Sequence, residues 1–453
     1  MSSDTIDSLN LEELGSLAGT VLDAARQAGA DAAEAVALAR VAVSATVRNG
    51  VTEEIESADE VDLGLRVFIG AQSALVGVNP RGDIRMAAGR AVAMAKAAPP
   101  DESVALAEPA AFATAIDAAA LEIDDEIILT TEQLTDRAHR LEHAMKRVPG
   151  VTNSAGASAS ATRAARWFAT SNGFSAGYFT TTHSHVARAI AGDGTKMERD
   201  QWYSAKRHVA DLVDVETVGT TAGRRAVRRL EAEPISTRVA TVVFEPTIAA
   251  GFVGHLLSAI NGSAVVREAS ILAGQLGERV IAEGITIRDD PRLVRGLASR
   301  PFDGEGLAAE PIDLVADGVL QSYVLDLSTA RRLGVAGNGR AARGTGLPGP
   351  ATTNVSVIGG SGDMTSLMRE AGSGLLVTEL IGSGANIVSG SYSRGAAGFW
   401  FENGEIVAPV AEITIAGELK DMLARARFAD DAPGLYATNA PSIAIEGLTI
   451  GGR

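Results

Sequence analysis

The order of apolar and polar residues divides the first part of the chain into helices and strands. Apolar residues recur at helical spacing between Leu11 and Ala28, which predicts a first helix. From Ala33 to Val78 apolar and polar residues alternate around an Asn49-Gly50 pair, which is typical of a hairpin turn, and we expect a meander of about four strands there. Asp83 then precedes a second helical pattern, where it would act as the N-cap.

The same order recurs further along the chain. Residues 99–129 are rich in Ala, Asp, Glu and Pro with weak periodicity, and we interpret them as a connecting segment on the surface. A helix is predicted over Thr131–Arg147, and alternating strands follow over Val151–Gly192 around Asn172-Gly173. A helix near Val215–Ala232 ends this second unit. The shared order of helix, meander and helix would fit an internal duplication, although the residues do not visibly repeat.

A third unit begins with an apolar, β-branched strand over Arg238–Phe244, and Pro246 is suited to the first position of the helix after it. Beyond about residue 280, short strands alternate with turns such as Asp317-Gly318 and Asn403-Gly404. The predicted fold is α+β, with N-terminal α/β units of helix, β-meander and helix followed by a β-rich C-terminal domain. The expected divisions are an N-terminal α+β domain over 1–98, the connecting segment over 99–129, a middle α+β domain over 130–236 and the β-rich C-terminal domain over 237–453.

Composition and charge exclude several classes of function. The formal charge of −16 would repel nucleic acid, and no Lys/Arg-rich run offers a local exception. Cysteine is absent, which excludes disulfides, thiolate nucleophiles and cysteine-based zinc sites. The first ten residues lack the features of a secretory signal, and no 18 apolar residues follow one another. We therefore expect a cytoplasmic protein that binds neither nucleic acid nor membrane.

Two pairs of histidines have a spacing that would allow metal binding. His139 and His143 lie four residues apart on a predicted helix, but Glu142 stands in the wrong order for a peptidase motif and basic residues surround them, which favours a solvated face. His183 and His185 alternate on a strand and point to one face. No carboxylate lies close to them in sequence, so a metal site is not expected there.

Serine chemistry and nucleotide binding have little support. No Gly-x-Ser-x-Gly element lies between a strand and a helix, as an α/β-hydrolase would require. The segment Ser391-Tyr392-Ser393-Arg394 lies among glycines, where Arg394 would bind a peptide carboxylate or the segment would close a hairpin. Gly337-Asn338-Gly339 lacks the third glycine of a dinucleotide fingerprint.

Four segments carry a resemblance that covers nearly the whole chain. They are VTNSAGASAS at 151–160, GHLLSAINGSAVVREAS at 254–270, SRPFDGEG at 299–306 and VTELIGSGANIVSGSYSRGAAGFWFENGEIVAPVAEITIAGELKDM at 377–422. In this order they resemble the PmbA (TldE) branch of the TldD/PmbA family, also described as modulators of DNA gyrase. The resemblance implies a cytoplasmic peptidase of two related subunits, in which the TldD branch carries a His-Glu-x-x-x-His helix and a later zinc-binding Cys.

The zinc motif implied by this resemblance does not carry over to the present chain. By position after Glu245-Pro246, the first His, the Glu and the second His would fall on Gly254, His255 and Ala259, and none of the three matches. Neither Gly254 nor Ala259 has a side-chain donor for zinc, and the Cys ligand is also missing. We therefore expect no catalytic residue, metal ligand or cofactor in this chain, and zinc in the partner subunit.

The helix after Pro246 is predicted to have two faces. An apolar stripe consists of Ile248, Phe252, Val253, Leu256, Leu257 and Ile260, and the other face consists of Thr247, Gly251, Gly254, His255 and Ser258. The small residues of the second face would let the backbone of a peptide or of a partner come near. A Gly-rich strand is predicted over 381–390, at a sheet edge that would accept an extended peptide or be closed by a second subunit. The candidate peptide-facing or partner-facing residues are Gly254, His255, Ser258, Tyr392, Ser393 and Arg394.

The resemblance and these residues together predict the metal-free subunit of a TldD/TldE-type heterodimeric metalloprotease that processes or degrades small unfolded peptides. The expected partner is a TldD-like, zinc-bearing subunit, and a homodimer is a form that the isolated chain could take. The alternative is a non-catalytic homodimeric protein that binds peptides or modulates a protein target. An autonomous peptidase would have to use His183, His185 or Ser393 without a visible partner network.

Overall fold

The hairpin around Asn49-Gly50 organises the first unit. The computed structural model describes residues 9–453. The unit consists of α1 (Leu11–Gln27), β1 (Ala32–Arg48), β2 (Val51–Ile69), β3 (Gln72–Val78) and α2 (Ile84–Ala97). Asp83 caps α2 as predicted, since its side chain accepts the backbone N–H of Met86. The meander has three strands instead of the predicted four, because β1 and β2 extend over 17 and 19 residues.

The second unit repeats the same succession of elements. It consists of α3 (Thr131–Lys146), β4 (Val151–Thr170), β5 (Ser175–Ala191), β6 (Glu198–Lys206) and α4 (Val215–Val227). The helix predicted as far as Ala232 ends at Val227. The chain turns after it, with Glu231 at φ 65°, while Arg228 and Arg229 pair with Glu245 and Glu198. Tertiary ion pairs therefore override the helical pattern at this end.

One continuous sheet joins the two units. Its strand order is β3-β2-β1-β4-β5-β6, and β1 pairs with β4 from Glu34–Thr170 to Val47–Ala157. Helices α1 and α2 pack on the part near β1 to β3, and α3 and α4 pack on the part near β4 to β6. Although the order of elements repeats, an internal duplication and the proposed domain divisions stay predictions.

The connecting segment 99–129 has neither an α-helix nor a strand, but it does not simply follow the surface as predicted. Leu121, Ile123 and Leu129 are buried, and Asp125 is buried beside them. Leu121 and Ile123 join a cluster with Phe168, Phe174 and Phe302, in which the rings of Phe174 and Phe302 lie 5.0 Å apart. The segment thereby packs the first sheet against the C-terminal part of the chain.

The C-terminal part is rich in short strands, as predicted. Its helices are α5 (Pro246–Ala259), α6 (Gly262–Val266), α7 (Leu327–Leu333), α8 (Met364–Ala371) and α9 (Leu419–Arg425). Its strands are β7 (Arg238–Phe244), β8 (Thr286–Asp290), β9 (Ile312–Ala316), β10 (Val319–Leu320), β11 (Ala341–Ala342), β12 (Gly349–Pro350), β13 (Asn354–Ile358), β14 (Ser373–Ile381), β15 (Ser391–Glu402), β16 (Glu405–Glu418), β17 (Arg427–Phe428), β18 (Thr438–Asn439) and β19 (Ile443–Gly451).

Five of these strands close into a barrel. They follow the order β16-β15-β14-β7-β19, and β16 pairs again with β19 at Thr414–Gly451, so the sheet closes on itself. A second sheet has the order β10-β9-β8-β13-β18. Apolar side chains from the barrel, α5 and the second sheet form one core, to which Phe252 and Leu256 of α5 contribute.

Within residues 9–453, no helix combines the length and the apolar character needed to cross a membrane. The α+β fold with a β-rich C-terminal domain is confirmed.

The strand predicted over 381–390 is wrong. Strand β14 ends at Ile381, and residues 382–390 form a loop before β15. The backbone of Gly382 and Gly390 has positive φ, at 76° and 82°. The side chain of Asn386 accepts the backbone N–H groups of Val388 and Ser389, which makes a turn. Local turn chemistry therefore overrides the β-rich surroundings, and the segment offers no sheet edge.

Candidate functional site

Helix α5 begins where strand β7 leaves the barrel. Pro246 occupies its first turn, where a missing N–H costs no hydrogen bond. The side chains of Phe252, Val253 and Leu256 are buried against the barrel, as their helical spacing predicts. The remaining face of the helix points away from this core.

An ion-pair network fixes the start of α5 against the second unit. The carboxylate of Glu245 accepts hydrogen bonds from Arg225 at 2.7 Å and from the hydroxyl of Thr247 at 2.8 Å. Arg225 also lies 3.2 Å from Asp200 of β6. Arg225, Asp200 and Glu245 are all nearly buried, so water screens these pairs little. Sequence reasoning missed this network because its members come from β6, α4 and the β7–α5 junction.

The second face of α5 is open. A Cβ atom built on Gly251 or on Gly254 would meet no atom within 4 Å. Ser258 is exposed, and its hydroxyl donates to the carbonyl of Gly254 at 2.7 Å. Ala259, in contrast, is buried in the core. The face formed by Thr247, Gly251, Gly254 and Ser258, which we call the small face, therefore leaves room for another backbone.

Three of the predicted site residues come together beside this face. The rings of His255 and Tyr392 meet edge to face, with centroids 5.9 Å apart. The Nε2 atom of His255, the hydroxyl of Tyr392 and the Nε atom of Arg394 are buried, and none has a hydrogen-bond partner within the described part of the chain. Arg394 also closes the loop before β15, because its Nη2 donates to the carbonyl of Gly382 at 2.6 Å. Ser393 is exposed, and its backbone N–H donates to Gly384.

Burial sets the charges of this cluster. Burial lowers the pKa of His255, and the charge of Arg394 lowers it further, so the imidazole is neutral at pH 7. Burial raises the pKa of Tyr392 to about 12, with Arg394 acting in the opposite direction, so the phenol keeps its proton. His255, Tyr392 and Arg394 thus combine a neutral imidazole, a phenol donor and a guanidinium. Buried polar atoms are nearly always hydrogen-bonded, so the unpartnered atoms of these three residues need an explanation.

This donor set does not fit a catalytic zinc ion. Zinc in peptidases takes three protein ligands, and α5 offers the single ring nitrogen of His255 between Gly254 and the buried Ala259. Among residues 9–453, no group of three His, Asp or Glu side chains is arranged to hold a metal ion. We therefore assign no metal-dependent step to the residues of this chain.

The pair His139 and His143 lies on α3, where Glu142 between them binds the backbone of the β1–β2 turn. Glu142 was expected on a solvated face, but it is buried. Its carboxylate accepts the backbone N–H groups of Asn49 and Gly50 at 2.7 and 2.6 Å and so holds the hairpin turn. The ring of His139 lies 3.2 Å from the hydroxyl of Thr52. The expectation of a solvated face is therefore wrong for Glu142.

The pair His183 and His185 is fully buried within the sheet. Although no carboxylate is close in sequence, Asp125 of the connecting segment places its Oδ2 atom 3.1 Å from Nε2 of His183. Burial lowers the pKa of both histidines, that of His185 to about 4, while Asp125 opposes the shift at His183. Asp125 is separated from His183 by most of the second unit, so sequence spacing gave no sign of the contact. Neutral, buried histidines of this kind are part of the core.

Residues Gly173 to Gly177 match the Gly-x-Ser-x-Gly pattern, which is the form a nucleophilic serine takes in α/β-hydrolases. The match lies at the β4–β5 hairpin, with Ser175 as the first residue of β5, and no helix follows it directly. The hydroxyl of Ser175 accepts a hydrogen bond from the indole N–H of Trp167 at 3.1 Å. This serine therefore lacks both the sharp turn and the base of a nucleophile.

Family models match three successive parts of this chain. Residues 33–95 match PmbA/TldA metallopeptidase domain 1, residues 99–230 match the central domain, and residues 237–452 match the C-terminal domain. The chain belongs to the PmbA/TldD family. Within this family, the Metalloprotease PmbA of Escherichia coli O157:H7 is 35% identical over 397 residues, which is 86% of each chain. The Metalloprotease PmbA homolog of Haemophilus influenzae is 33% identical over 448 residues, covering 98% of this chain and 97% of its own.

Solved structures share the fold of this PmbA/TldD family member. A putative modulator of DNA gyrase from Bacteroides thetaiotaomicron superimposes with a TM-score of 0.88 over 98% of this chain and 99% of its own, at 24% identity. TldE from Thermococcus kodakarensis superimposes with a TM-score of 0.85 over 96% and 100% of the two chains, at 21% identity. At these identities the structures support the fold alone.

Proposed function

We propose that this chain is the metal-free subunit of a TldD/TldE-type heterodimeric metalloprotease that processes or degrades small unfolded peptides. The observation that carries the proposal is the donor set of α5, where Gly254 and Ala259 leave His255 as the sole ligand-type side chain. Relatives that are named metalloproteases match nearly the full length of the chain. The zinc would therefore belong to a TldD-like partner.

The open side of α5 supports a role in holding a peptide or the partner. The small face leaves space above Gly251 and Gly254, and the unpartnered atoms of His255, Tyr392 and Arg394 lie beside it. A main chain that reached these atoms would make hydrogen bonds that they lack in the isolated chain, and their own desolvation would add little to the cost because they are already buried. An extended, unfolded peptide exposes the main-chain groups that such a surface would recognise.

The test is reconstitution with a zinc-bearing relative. The tagged chain is purified from its own cells, and the co-purifying proteins, the mass of the complex and its metal content are measured. We expect an equimolar complex with a TldD-like subunit, and cleavage of an unfolded peptide by the pair but by neither chain alone. One zinc ion held by this chain alone, or the absence of a zinc-motif partner and of activity, would contradict the proposal.

If no zinc-motif partner and no peptidase activity are found, the alternative is favoured. It is a homodimeric protein that binds peptides or modulates a protein target without cutting it. Two solved structures with this fold are described as a putative modulator of DNA gyrase and as TldE, so the fold itself does not distinguish the two functions. A cytoplasmic location belongs to the same proposal, and fractionation of the native cells tests it.

A further inference from the structure

A groove of about 490 Å³ lies between the first sheet and the barrel, at the start of α5. One side consists of residues 199–203 of β6, and the other side consists of residues 378–380 of β14. Thr247 and Ile248 of α5 also line it. We call it the β6–β14 groove. Its volume is within the range of small-molecule or side-chain binding sites.

On each side of this groove lies one unpaired strand edge within residues 9–453, although β14 keeps its partner β15 on its other edge. β6 is the last strand of the first sheet, so one of its edges has no partner strand in the part of the chain that the structure describes. β14 pairs with β7 only as far as Val377, and the groove begins at the next residue. The hydroxyl of Thr378 is buried there, at 4% exposure, and has no partner among residues 9–453. A buried, unsatisfied hydroxyl that lines a cavity indicates a ligand contact.

The charge of the groove is opposite to that of the protein. The chain has a formal charge of −16, but four arginines and two carboxylates line the groove. Arg225 and Arg229 are neutralised by ion pairs with acidic side chains around them. Arg188 and Arg199 are exposed at the rim, and no acidic side chain of residues 9–453 pairs with either one. The net positive charge of the groove therefore comes from Arg188 and Arg199.

The groove continues the small face of α5. Thr247 is a member of both, and Gly254 follows seven residues later on the same side of the helix. At about 1.5 Å per helical residue, the two positions are about 10 Å apart, which an extended peptide spans with about three residues. A peptide that lay along the small face would therefore place one of its residues in the groove.

We propose that the β6–β14 groove binds a carboxylate of the peptide, supplied either by an acidic side chain or by the C-terminus. Arg188 and Arg199 attract the charge, and the hydroxyl of Thr378 donates a hydrogen bond. The inference rests on the proposed function for the choice of a peptide as ligand. The alternative, that the two arginines only keep the surface soluble, predicts no difference between acidic and neutral ligands.

The test is calorimetric titration of the purified full-length chain with four short peptides. They are acetyl-Ala-Ala-Glu-Ala-amide, its Gln and Lys counterparts, and the Gln peptide with a free C-terminal carboxylate. We expect the Glu peptide or the free-carboxylate peptide to bind about tenfold more tightly than the neutral amide, and the Lys peptide to bind most weakly. Tighter binding of the Glu peptide identifies a side-chain carboxylate as the ligand, and tighter binding of the free-carboxylate peptide identifies the C-terminus. Equal affinities, or no binding by any peptide, would overturn the proposal.

Two variants and one matched control assign this preference to the groove. Arg199→Gln is expected to reduce it about fivefold or more, and Thr378→Val to weaken the carboxylate peptide severalfold without loss of stability. Arg85→Gln on α2 removes an exposed arginine away from the groove and should leave the preference unchanged. If Arg85→Gln reduces the preference as much as Arg199→Gln does, or if neither groove variant reduces it, the groove is not the site.

The same preparations separate this proposal from the proposed function. Titration of the isolated chain does not need the partner, whereas peptide cleavage requires the reconstituted pair. Carboxylate-dependent binding without reconstituted cleavage would support the groove and contradict the protease assignment. Reconstituted cleavage with equal binding of acidic and neutral peptides would support the assignment and overturn the groove.

Discussion

His255 and His183 are both at least partly buried, but in the part of the chain that the structure describes only His183 has a carboxylate beside its ring. Burial lowers the pKa of both. His183 has the carboxylate of Asp125 at 3.1 Å, in the interior of the first sheet. For His255, no acidic side chain of the part described, residues 9–453, lies within 4 Å, and the unpartnered hydroxyl of Tyr392 is its neighbour. His183 thus has an acidic partner within its own chain and His255 has none, although the ring nitrogens of His183 and the Nε2 atom of His255 alike lack a well-formed hydrogen bond within residues 9–453.

Under the proposed function, this difference separates a histidine of the core from one beside a surface that a peptide or a partner would contact. Buried polar atoms in native proteins are nearly always satisfied, so a cluster of unsatisfied atoms needs an explanation. At His255, the open space over Gly254 provides one, because a peptide or partner backbone has room to come within reach. Changes at Asp125 should therefore affect folding, and changes around His255 should affect binding.

The largest expected effect is at Asp125. Its carboxylate accepts the backbone N–H groups of Ile127 and Val209 in addition to its contact with His183. Asp125→Ala would leave these partly buried groups without their partner, and we expect a loss of about 3 kcal/mol in the free energy of unfolding. Chemical denaturation of the isolated chain measures it. A loss of less than about 1 kcal/mol would show that the interior cluster is not structural.

The next effect is a dependence of stability on pH. The pKa of His185 falls from its ordinary value of 6.5 to about 4 in the folded chain, so between these values the unfolded state binds more protons. The contribution to stability is therefore complete above about pH 6.5 and is lost as the pH falls towards 4, by up to about 3 kcal/mol. Denaturation curves between about pH 7.5 and 4.5 should show this slope, and His185→Leu should reduce it. An unchanged slope in the variant would contradict the burial of a neutral imidazole.

A third prediction concerns the small face. Gly254→Phe should leave the stability of the isolated chain within about 1 kcal/mol, because a Cβ there meets no atom within 4 Å. The phenyl ring would occupy the space over the small face that a peptide or partner backbone would need. Peptide cleavage by the reconstituted pair should therefore fall about tenfold or more. Gly89→Phe on α2 is the matched control, since Gly89 is also a helical glycine with no atom near its Cβ position. Equal activity of the two variants would exclude the small face as a contact surface.

The smallest effect is expected at Tyr392. Tyr392→Phe removes a buried hydroxyl that has no partner in residues 9–453, so the isolated chain should be as stable as before or up to about 1 kcal/mol more stable. Peptide binding or assembly should nevertheless weaken severalfold, because the phenol donor is lost. Parallel denaturation and titration measurements test both halves. If the variant loses stability but not binding, Tyr392 has a structural role, as His183 does.

Much of the fold was predictable because local rules and long-range packing agree. The Asn49-Gly50 hairpin, the Asp83 cap and the start of α5 at Pro246 are found where the sequence places them. The failures lie where tertiary contacts or turn chemistry compete with the pattern. The loop after Ile381 is set by Asn386, and α4 ends early where Arg228 and Arg229 meet distant carboxylates.

The candidate site was predictable only in part. The two faces of α5 follow from helical periodicity, and the Tyr392 segment follows from the resemblance. Their meeting at His255 does not, since Tyr392 lies on a strand more than a hundred residues later in the chain. Asp125 and the β6–β14 groove were missed for the same reason. Such sites are formed by segments that are distant in sequence, and a single sequence carries no signal of their contact.

The zinc content of each subunit, measured in the complex isolated from native cells, shows whether this chain is the metal-free subunit. The complex is separated into its chains under conditions that preserve the fold, and the metal in each fraction is quantified together with its mass. We expect an equimolar pair in which the zinc stays with the partner subunit and is absent from this chain. Zinc retained by this chain at one ion per molecule would contradict it, because α5 would then hold an ion with donors that Gly254 and Ala259 do not have.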